Sequence, residues 1–127
     1  MNTFERFNNG KLVLSNAEKN FCNVEWSKHP TFEGVELKHI LTASDTGGVF
    51  SYHLVKIAPN CSIKEHMHEK QLETHEVIMG MGECINGGTS ICYEPGVISI
   101  MTAGVFHEVN ALSEGLYLFA KFIPALC

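Results

Sequence analysis

Residues 64 to 80 read KEHMHEKQLETHEVIMG and concentrate side chains that can bind a metal ion or move a proton. One residue separates His66 from His68, and one separates Glu73 from His75. Imidazole nitrogens and carboxylate oxygens are common ligands of divalent transition metals, and histidine also acts as a general acid or base near neutral pH. Two solvated histidines on an outer face would show the same H-x-H spacing. Whether these residues form a site therefore depends on the secondary-structure elements that carry them.

Strand geometry would place these side chains in pairs. Side chains alternate between the two faces of a strand, so His66 and His68 would point to the same side. Glu73 and His75 would also share a side. Each of the two strands would then present its ligand-type groups on one face.

A third histidine, His107, lies in the segment TAGVFHEVN, just after a glycine turn. The neighbours of equal parity, Val105, Val109 and Ala111, are apolar, so this face of the strand is expected to point inward. Three imidazoles and one carboxylate drawn from three strands can close around a single ion, as in zinc sites.

The elements that must position these residues are read from many short apolar segments separated by glycine, proline and asparagine clusters. No helical period is sustained over 12 residues, and the spacing favours an all-β sandwich or barrel. In the first 30 residues, FCNVEW is a possible strand and SNAEKN a helical turn or loop. Strands are predicted at 35 to 42, 48 to 58, 62 to 68, 73 to 79, 83 to 86, 89 to 93, 97 to 102, 105 to 111 and 116 to 123.

Two segments resemble the motifs of the cupins, which are small β-barrels with a double-stranded β-helix. The first motif, G-X5-H-X-H-X3,4-E-X6-G, is matched at His66, His68, Glu73 and Gly80, and the second, G-X5-P-X-G-X2-H-X3-N, at Gly96, Gly104 and His107. The resemblance implies an all-β, cupin-type double-stranded β-helix (jelly-roll barrel). We expect one domain over 1–127, with the barrel motifs within about 48–123 and an N-terminal extension of strands and loop at 1–34.

The sequence departs from the two motifs at three positions, and none of them removes a ligand. Asn60 replaces the first glycine, Thr102 replaces the proline, and Asn110 comes one position too early. Asparagine tolerates the positive-φ turn that such a glycine serves, and Thr102 only loosens a turn.

The resemblance implies one divalent transition metal ion per chain, held inside the barrel with one or two positions left for water or substrate. Iron, manganese, nickel, cobalt, copper and zinc all suit such ligands, and the sequence does not choose among them. The implied ligands are His66, His68, Glu73 and His107. His75 is the candidate catalytic residue, as an acid, base or hydrogen-bond donor in the cavity; it could instead replace Glu73 as a ligand or lie in the core as a neutral histidine.

Two kinds of function fit this reading, because the fold hosts many activities. The first is a metal-dependent enzyme of the dioxygenase, isomerase or lyase type, acting on a small oxygen-bearing metabolite. The second is a non-catalytic module that binds or senses a sugar or an organic acid. A purely structural β-barrel dimer is a weaker third hypothesis.

Composition limits the partners and the setting. The net charge of −5 argues against nucleic-acid binding, and the absence of a long apolar run argues against secretion or membrane insertion, so a cytoplasmic protein is expected. Five scattered cysteines are expected to be reduced with packing roles, against the alternative of one reactive thiol, and Cys127 is the one for which exposure is most expected. A homodimer is expected, with Phe21 and Trp26 contributing to the contact.

The remaining side chains receive structural interpretations. Met79, Met101 and Phe106 are expected in the core or the cavity wall. Outward positions are expected for Thr74, Glu76, Lys56 and Lys121, and structural roles for His29, His39 and His53.

Overall fold

Ten β-strands and two short helices make up the fold, and the computed structural model describes residues 1–127. The all-β prediction is confirmed. No helix is long and apolar enough to cross a membrane. The helices are α1 (Thr3–Asn8) and α2 (Ala43–Thr46), and the strands are β1 (Lys11–Leu14), β2 (Ala17–Asn20), β3 (Ser27–Lys28), β4 (Val35–Leu41), β5 (Ser51–Ile57), β6 (Ser62–His66), β7 (Leu72–Asn86), β8 (Thr89–Tyr93), β9 (Ile98–Met101) and β10 (His107–Ile123).

Two long strands, β7 and β10, connect the two halves of the barrel. The first part of β7 pairs with β9 and with the last part of β10, which also pairs with β5. The last part of β7 pairs with β8 and with the first part of β10, which also pairs with β6. The sequence predicted each of these long strands as two separate strands, because the internal glycines read as turns; in the structure the chain bends and continues.

Glycines make these bends possible where β7 and β10 lie side by side. Gly80 has φ 86° and Gly115 has φ 74°, in the region that side chains disfavour. A Cβ atom at Gly80 would lie 2.0 Å from the carbonyl oxygen of Gly115. The two strands therefore approach each other so closely at this point that only glycine fits.

Apolar side chains fill the space between the two halves. This inner core is built from alternating positions of the strands, as the period of two requires. Its fully buried members include Val35, Ile57, Tyr93, Val109 and Leu118.

The N-terminal segment packs against the outer face of the sheet. Phe4 of α1 and Phe21, in a short 3₁₀ turn at Phe21–Asn23, pack with Leu54 and Phe119 in a second apolar cluster. The predictions for this segment were wrong in two places: SNAEKN belongs to the β1–β2 hairpin, and FCNVEW contains the 3₁₀ turn. Phe21 is 4% exposed within its own chain, and Trp26 packs against the same cluster while it stays partly exposed.

The turn before β6 confirms the interpretation of Asn60. This residue has φ 61° and is the only non-glycine residue in the chain with a positive φ. Asparagine thus serves at the position where the cupin motif has glycine, because its short polar side chain tolerates the left-handed region.

Candidate metal centre

Four side chains from three strands and one loop converge inside the barrel. One ligand atom from each of them lies within 4.8 Å of all the others. The strands β6, β7 and β10 supply three of these residues, and the loop after β6 supplies His68. The four residues are His66, His68, Glu73 and His107, the set that the cupin resemblance implies.

The bends in β7 and β10 bring this set together. His66 and His107 are directly paired across β6 and β10, so their rings lie together in one half of the barrel, with centroids 4.3 Å apart. Glu73 comes from the other half, where it pairs with Met101 of β9. Because both long strands fold over, Glu73 meets His107 although 34 positions separate them in sequence.

The Glu73 carboxylate is the centre of the cluster. Its Oε1 lies 3.0 Å from Nε2 of His107 and 3.4 Å from Nε2 of His68, and its Oε2 lies 2.8 Å from Nε2 of His75. The residue is 6% exposed. Burial alone would raise the pKa of Glu73, but the charge of His75 and the hydrogen bonds from the three histidines outweigh it and hold the pKa well below its usual value.

Backbone carbonyls fix the orientation of two of the imidazoles. Nδ1 of His66 donates to the carbonyl oxygen of Lys64 at 2.8 Å, and Nδ1 of His107 donates to that of Val105 at 3.0 Å. The carbonyl can only accept, so each ring carries a proton on Nδ1 and has Nε2 left for an ion. Metal-ligating histidines are held in the same way.

The chemistry of this donor set fits a cation. A ring nitrogen and an anionic oxygen 3.0 Å apart, as in the pair of His107 and Glu73, require either the proton of an imidazolium or a metal ion between them. Burial lowers the pKa of His107, but the hydrogen bonds to Glu73 and Val105 dominate and raise it above its usual value. Burial lowers the pKa of His66, which keeps that ring neutral and able to ligate. A divalent ion would replace the protons that this cluster otherwise holds.

His75 lies beside the cluster and contacts the protein through both ring nitrogens. Its Nε2 contacts Glu73, and its Nδ1 lies 2.9 Å from the hydroxyl oxygen of Tyr93. Both His75 and Tyr93 are fully or almost fully buried. Sequence reasoning missed Tyr93, because nothing in the spacing of β8 indicates that its last residue reaches a histidine 18 positions earlier.

A cavity of about 290 Å³ opens beside the cluster. His66, His68, Glu73 and His75 are among its lining residues, and most of the other lining residues are apolar. The segment around β3 contributes the only ammonium group of the lining, on Lys28. The polar and charged lining residues besides the cluster are Ser27, Lys28, His29 and His39.

The outer positions agree in part with the sequence. Lys121 and Glu76 form an ion pair at 2.7 Å on the outer face, as predicted, and Met101 is in the core, as predicted. The prediction for Phe106 was wrong, because its side chain is 54% exposed. Thr74 is half-buried on the same face as Glu76, and its hydroxyl oxygen has no hydrogen-bond partner.

Comparisons with solved structures identify the fold. Neither a family model nor a curated protein matches the chain by sequence. A protein from Thermotoga maritima described as a predicted oxalate decarboxylase matches with a TM-score of 0.69 and 21% identity, over 80% of this chain and 91% of that one. An RmlC-like cupin from Shewanella frigidimarina gives a TM-score of 0.73 at 14% identity, over 85% and 90% of the two chains.

A third neighbour carries a metal. The oxalate decarboxylase of Bacillus subtilis, which has Mn(II) centres, matches with a TM-score of 0.73 and 18% identity, over 91% of this chain and 31% of that one. At these identities the likeness establishes the fold alone. The protein has the cupin fold, and the predicted double-stranded β-helix is confirmed.

Proposed function

We propose that the protein is a mononuclear metal-binding cupin that acts on a small oxygen-bearing metabolite in its cavity. One observation carries this proposal: Oε1 of Glu73 lies 3.0 and 3.4 Å from Nε2 of His107 and His68 inside a buried pocket. The ligands of the proposed site are His66, His68, Glu73 and His107. A bound divalent ion would serve as a Lewis acid toward a carbonyl, carboxylate or enolate oxygen of the substrate.

The other residues of the site would orient the ligands and bind the substrate. His75 holds the Glu73 carboxylate in place, and Tyr93 in turn holds His75. The three side chains form a buried hydrogen-bonded chain that can retain a proton. Lys28 supplies a positive charge at the cavity, and the apolar walls exclude water.

The cavity supports a small acid as the substrate class. Its volume of about 290 Å³ lies at the lower end of the range for ligand pockets. Glu73 is the only carboxylate of the lining, and a divalent ion would more than neutralise it, so an anionic ligand meets a net positive surface. An organic acid with one or two carboxylates fits these limits.

The alternative function is a non-catalytic module that binds the same kind of ligand. The observation in its favour is that both ring nitrogens of His75 are engaged within the protein. A general acid or base must reach the proton that it moves, and His75 would have to exchange one of these bonds to do so.

A turnover screen would distinguish the two functions. Metal-free protein is reconstituted with Fe(II), Mn(II), Ni(II) or Zn(II) and incubated with hydroxy acids, 1,3-dicarbonyls and sugars, and products are followed by mass spectrometry. For an enzyme we expect product from the wild type and none from His107→Ala. Thermal shifts of the metal-loaded protein that are induced by one of these ligands, without product, would favour the binding module, and neither signal with any metal would exclude both.

We also propose a homodimer, which rests on the exposed strand edges of a small open barrel. Light scattering at micromolar concentration tests it, and a single species of monomer mass would exclude it. Because Phe21 is buried in its own chain, the partly exposed Trp26 is the side chain that we expect the N-terminal segment to contribute to the contact.

A further inference from the structure

A second cluster of metal-ligand side chains shares no residue with the four ligands described above, although His39 also lines the same cavity. One nitrogen from each of His39 and His53 and the Sγ atom of Cys127 lie within 4.8 Å of one another. We propose that these three residues form a second metal site, with one thiolate and two imidazoles, for a thiophilic ion such as Zn²⁺ or Cu⁺. This inference does not depend on the proposed function of the first site.

The two imidazoles face each other across neighbouring strands. His39 of β4 and His53 of β5 are directly paired in register, and their Nδ1 atoms lie 2.7 Å apart. At this distance a single proton lies between the two nitrogens, and an ion with metal–nitrogen distances of about 2.0–2.1 Å can take its place after a small opening of the pair.

A buried serine holds His53 in the required orientation. Oγ of Ser51 lies 2.7 Å from Nε2 of His53, and both residues are fully buried. Metal binding requires the tautomer with its proton on Nε2, which then donates to Ser51 and leaves Nδ1 as the ligand. Such an outer hydrogen bond is the usual support of a metal-bound histidine.

Hydrogen bonds on both sides anchor the segment that carries Cys127. The backbone N–H of Leu126 donates to Oγ of Ser51 at 2.8 Å, and the N–H of Ala43 donates to the carbonyl oxygen of Cys127 at 2.6 Å. The same Ser51 thus contacts both His53 and the segment with the thiol. Because Cys127 itself is exposed, an ion can reach the site from solvent.

The protonation of the three groups suits a soft cation. Burial lowers the pKa of His39, and burial followed by repulsion from His39 lowers that of His53 to about 4, so both rings are neutral at pH 7. Burial raises the pKa of the Cys127 thiol, so the ion would displace the thiol proton when it binds. A thiolate ligand selects Zn²⁺ or Cu⁺, whereas the carboxylate of the first site also suits manganese and iron.

Cobalt(II) titration of the metal-free protein tests this site, because only a thiolate ligand gives a near-ultraviolet sulfur-to-cobalt charge-transfer band. We expect the band in the wild type and in His68→Ala, which disables the first site. We expect its loss in Cys127→Ser. Since the Cys127 side chain is exposed, this variant is expected to fold.

Two further variants complete the test. Cys92→Ser removes another exposed thiol and should retain the band. Ser51→Ala should retain it with about 10- to 100-fold weaker cobalt affinity, because the outer support of His53 is lost. A wild type without the band at saturating cobalt, or a band that persists in Cys127→Ser, would overturn the second site. Cobalt bound by the first site in Cys127→Ser is counted separately, so failure of one site is distinguishable from failure of the other.

Discussion

The Glu73 carboxylate is almost fully buried, and a buried charge is tolerated only when it is paired and hydrogen-bonded. The surrounding histidines meet this need in different ways. His68 and His107 approach one oxygen and are free to bind an ion, whereas His75 approaches the other oxygen and is itself held by Tyr93. Neighbouring histidines can therefore have separate roles at one carboxylate.

Metal content across single variants should follow this division. We expect His66→Ala, His68→Ala and His107→Ala each to lose the ion of the first site, because an incomplete ligand set holds it poorly. Glu73→Gln should lose less of the ion than the histidine variants if the amide oxygen still coordinates, although the variant lacks the anionic charge. Metal analysis after dialysis against one equivalent of ion measures the loss.

Variants of the supporting pair should keep the ion. We expect Tyr93→Phe and His75→Gln to bind close to one equivalent at saturating metal, with at most about 10- to 100-fold weaker affinity. Isothermal titration of metal-free protein provides the affinities. Complete loss of binding in His75→Gln would place His75 among the ligands, and full loading of His107→Ala would refute the site as described.

The buried His53 should make folding stability depend on pH. The pKa of His53 is about 4 in the folded protein, against a usual value of about 6.5. Between pH 6.5 and pH 4, therefore, His53 takes up a proton in the unfolded chain but not in the folded one. Stability should therefore fall as the pH is lowered from 6.5 to 4, by up to about 3 kcal/mol from this residue. Urea unfolding with a chelator present measures it, and His53→Gln should show a flatter profile. An unchanged slope in the variant would contradict this assignment.

At the scale of elements, the bends of β7 and β10 decide where the site lies. Glu73 lies before Gly80 in β7, and His107 lies before Gly115 in β10. If either strand ended at its glycine, the two halves of the barrel would not be joined and Glu73 would not meet His107. The close approach at Gly80 and Gly115 keeps the two strands paired through the bend. Two separate factors thus require glycine here: the positive φ of the backbone at both positions, and the lack of room for a Cβ atom between the two strands.

A matched pair of glycine variants separates the two effects. Gly80 and Gly88 have φ 86° and 84°, but a Cβ at Gly80 would collide with Gly115, and one at Gly88 would meet nothing within 4 Å. We expect Gly88→Ala to cost about 1–2 kcal/mol from the backbone alone, and Gly80→Ala to cost more than about 4 kcal/mol. Chemical denaturation measures both values. Equal losses would mean that the close contact is relieved without cost.

At the scale of the whole molecule, two apolar clusters hold the fold independently of the proposed metal site. The inner core fills the barrel, and the second cluster joins the N-terminal segment to the outer face. Neither cluster includes any of the four ligands. The protein should therefore remain folded without an ion.

Thermal unfolding tests this independence. Chelator-treated protein should unfold cooperatively, and an ion at about 100 times its dissociation constant should add about 2.7 kcal/mol, which raises the melting temperature by roughly 10 °C. Circular dichroism with and without the ion provides both measurements. A chelated protein without a cooperative transition would show that the ion is needed for folding.

The sequence by itself determined the all-β class and the four residues that converge inside the barrel. The class follows from local rules, namely short apolar segments separated by turn residues, whereas the four residues follow from the resemblance to the two cupin motifs. Strand parity does not account for His68, which lies in the loop after β6. The positive φ of Asn60 was also foreseen, since a turn depends mainly on its own residues.

Only the tertiary structure decided which distant side chains meet. The contact of His75 with Tyr93, the approach of Cys127 to His39 and His53, and the burial of Phe21 all join residues from separate elements. The alternation of apolar and polar residues along the sequence does not predict such contacts, because they depend on how the bent strands close the barrel and on where the N-terminal segment packs. His39 and His53, which looked like lone structural histidines in the sequence, face each other because β4 and β5 are aligned in register.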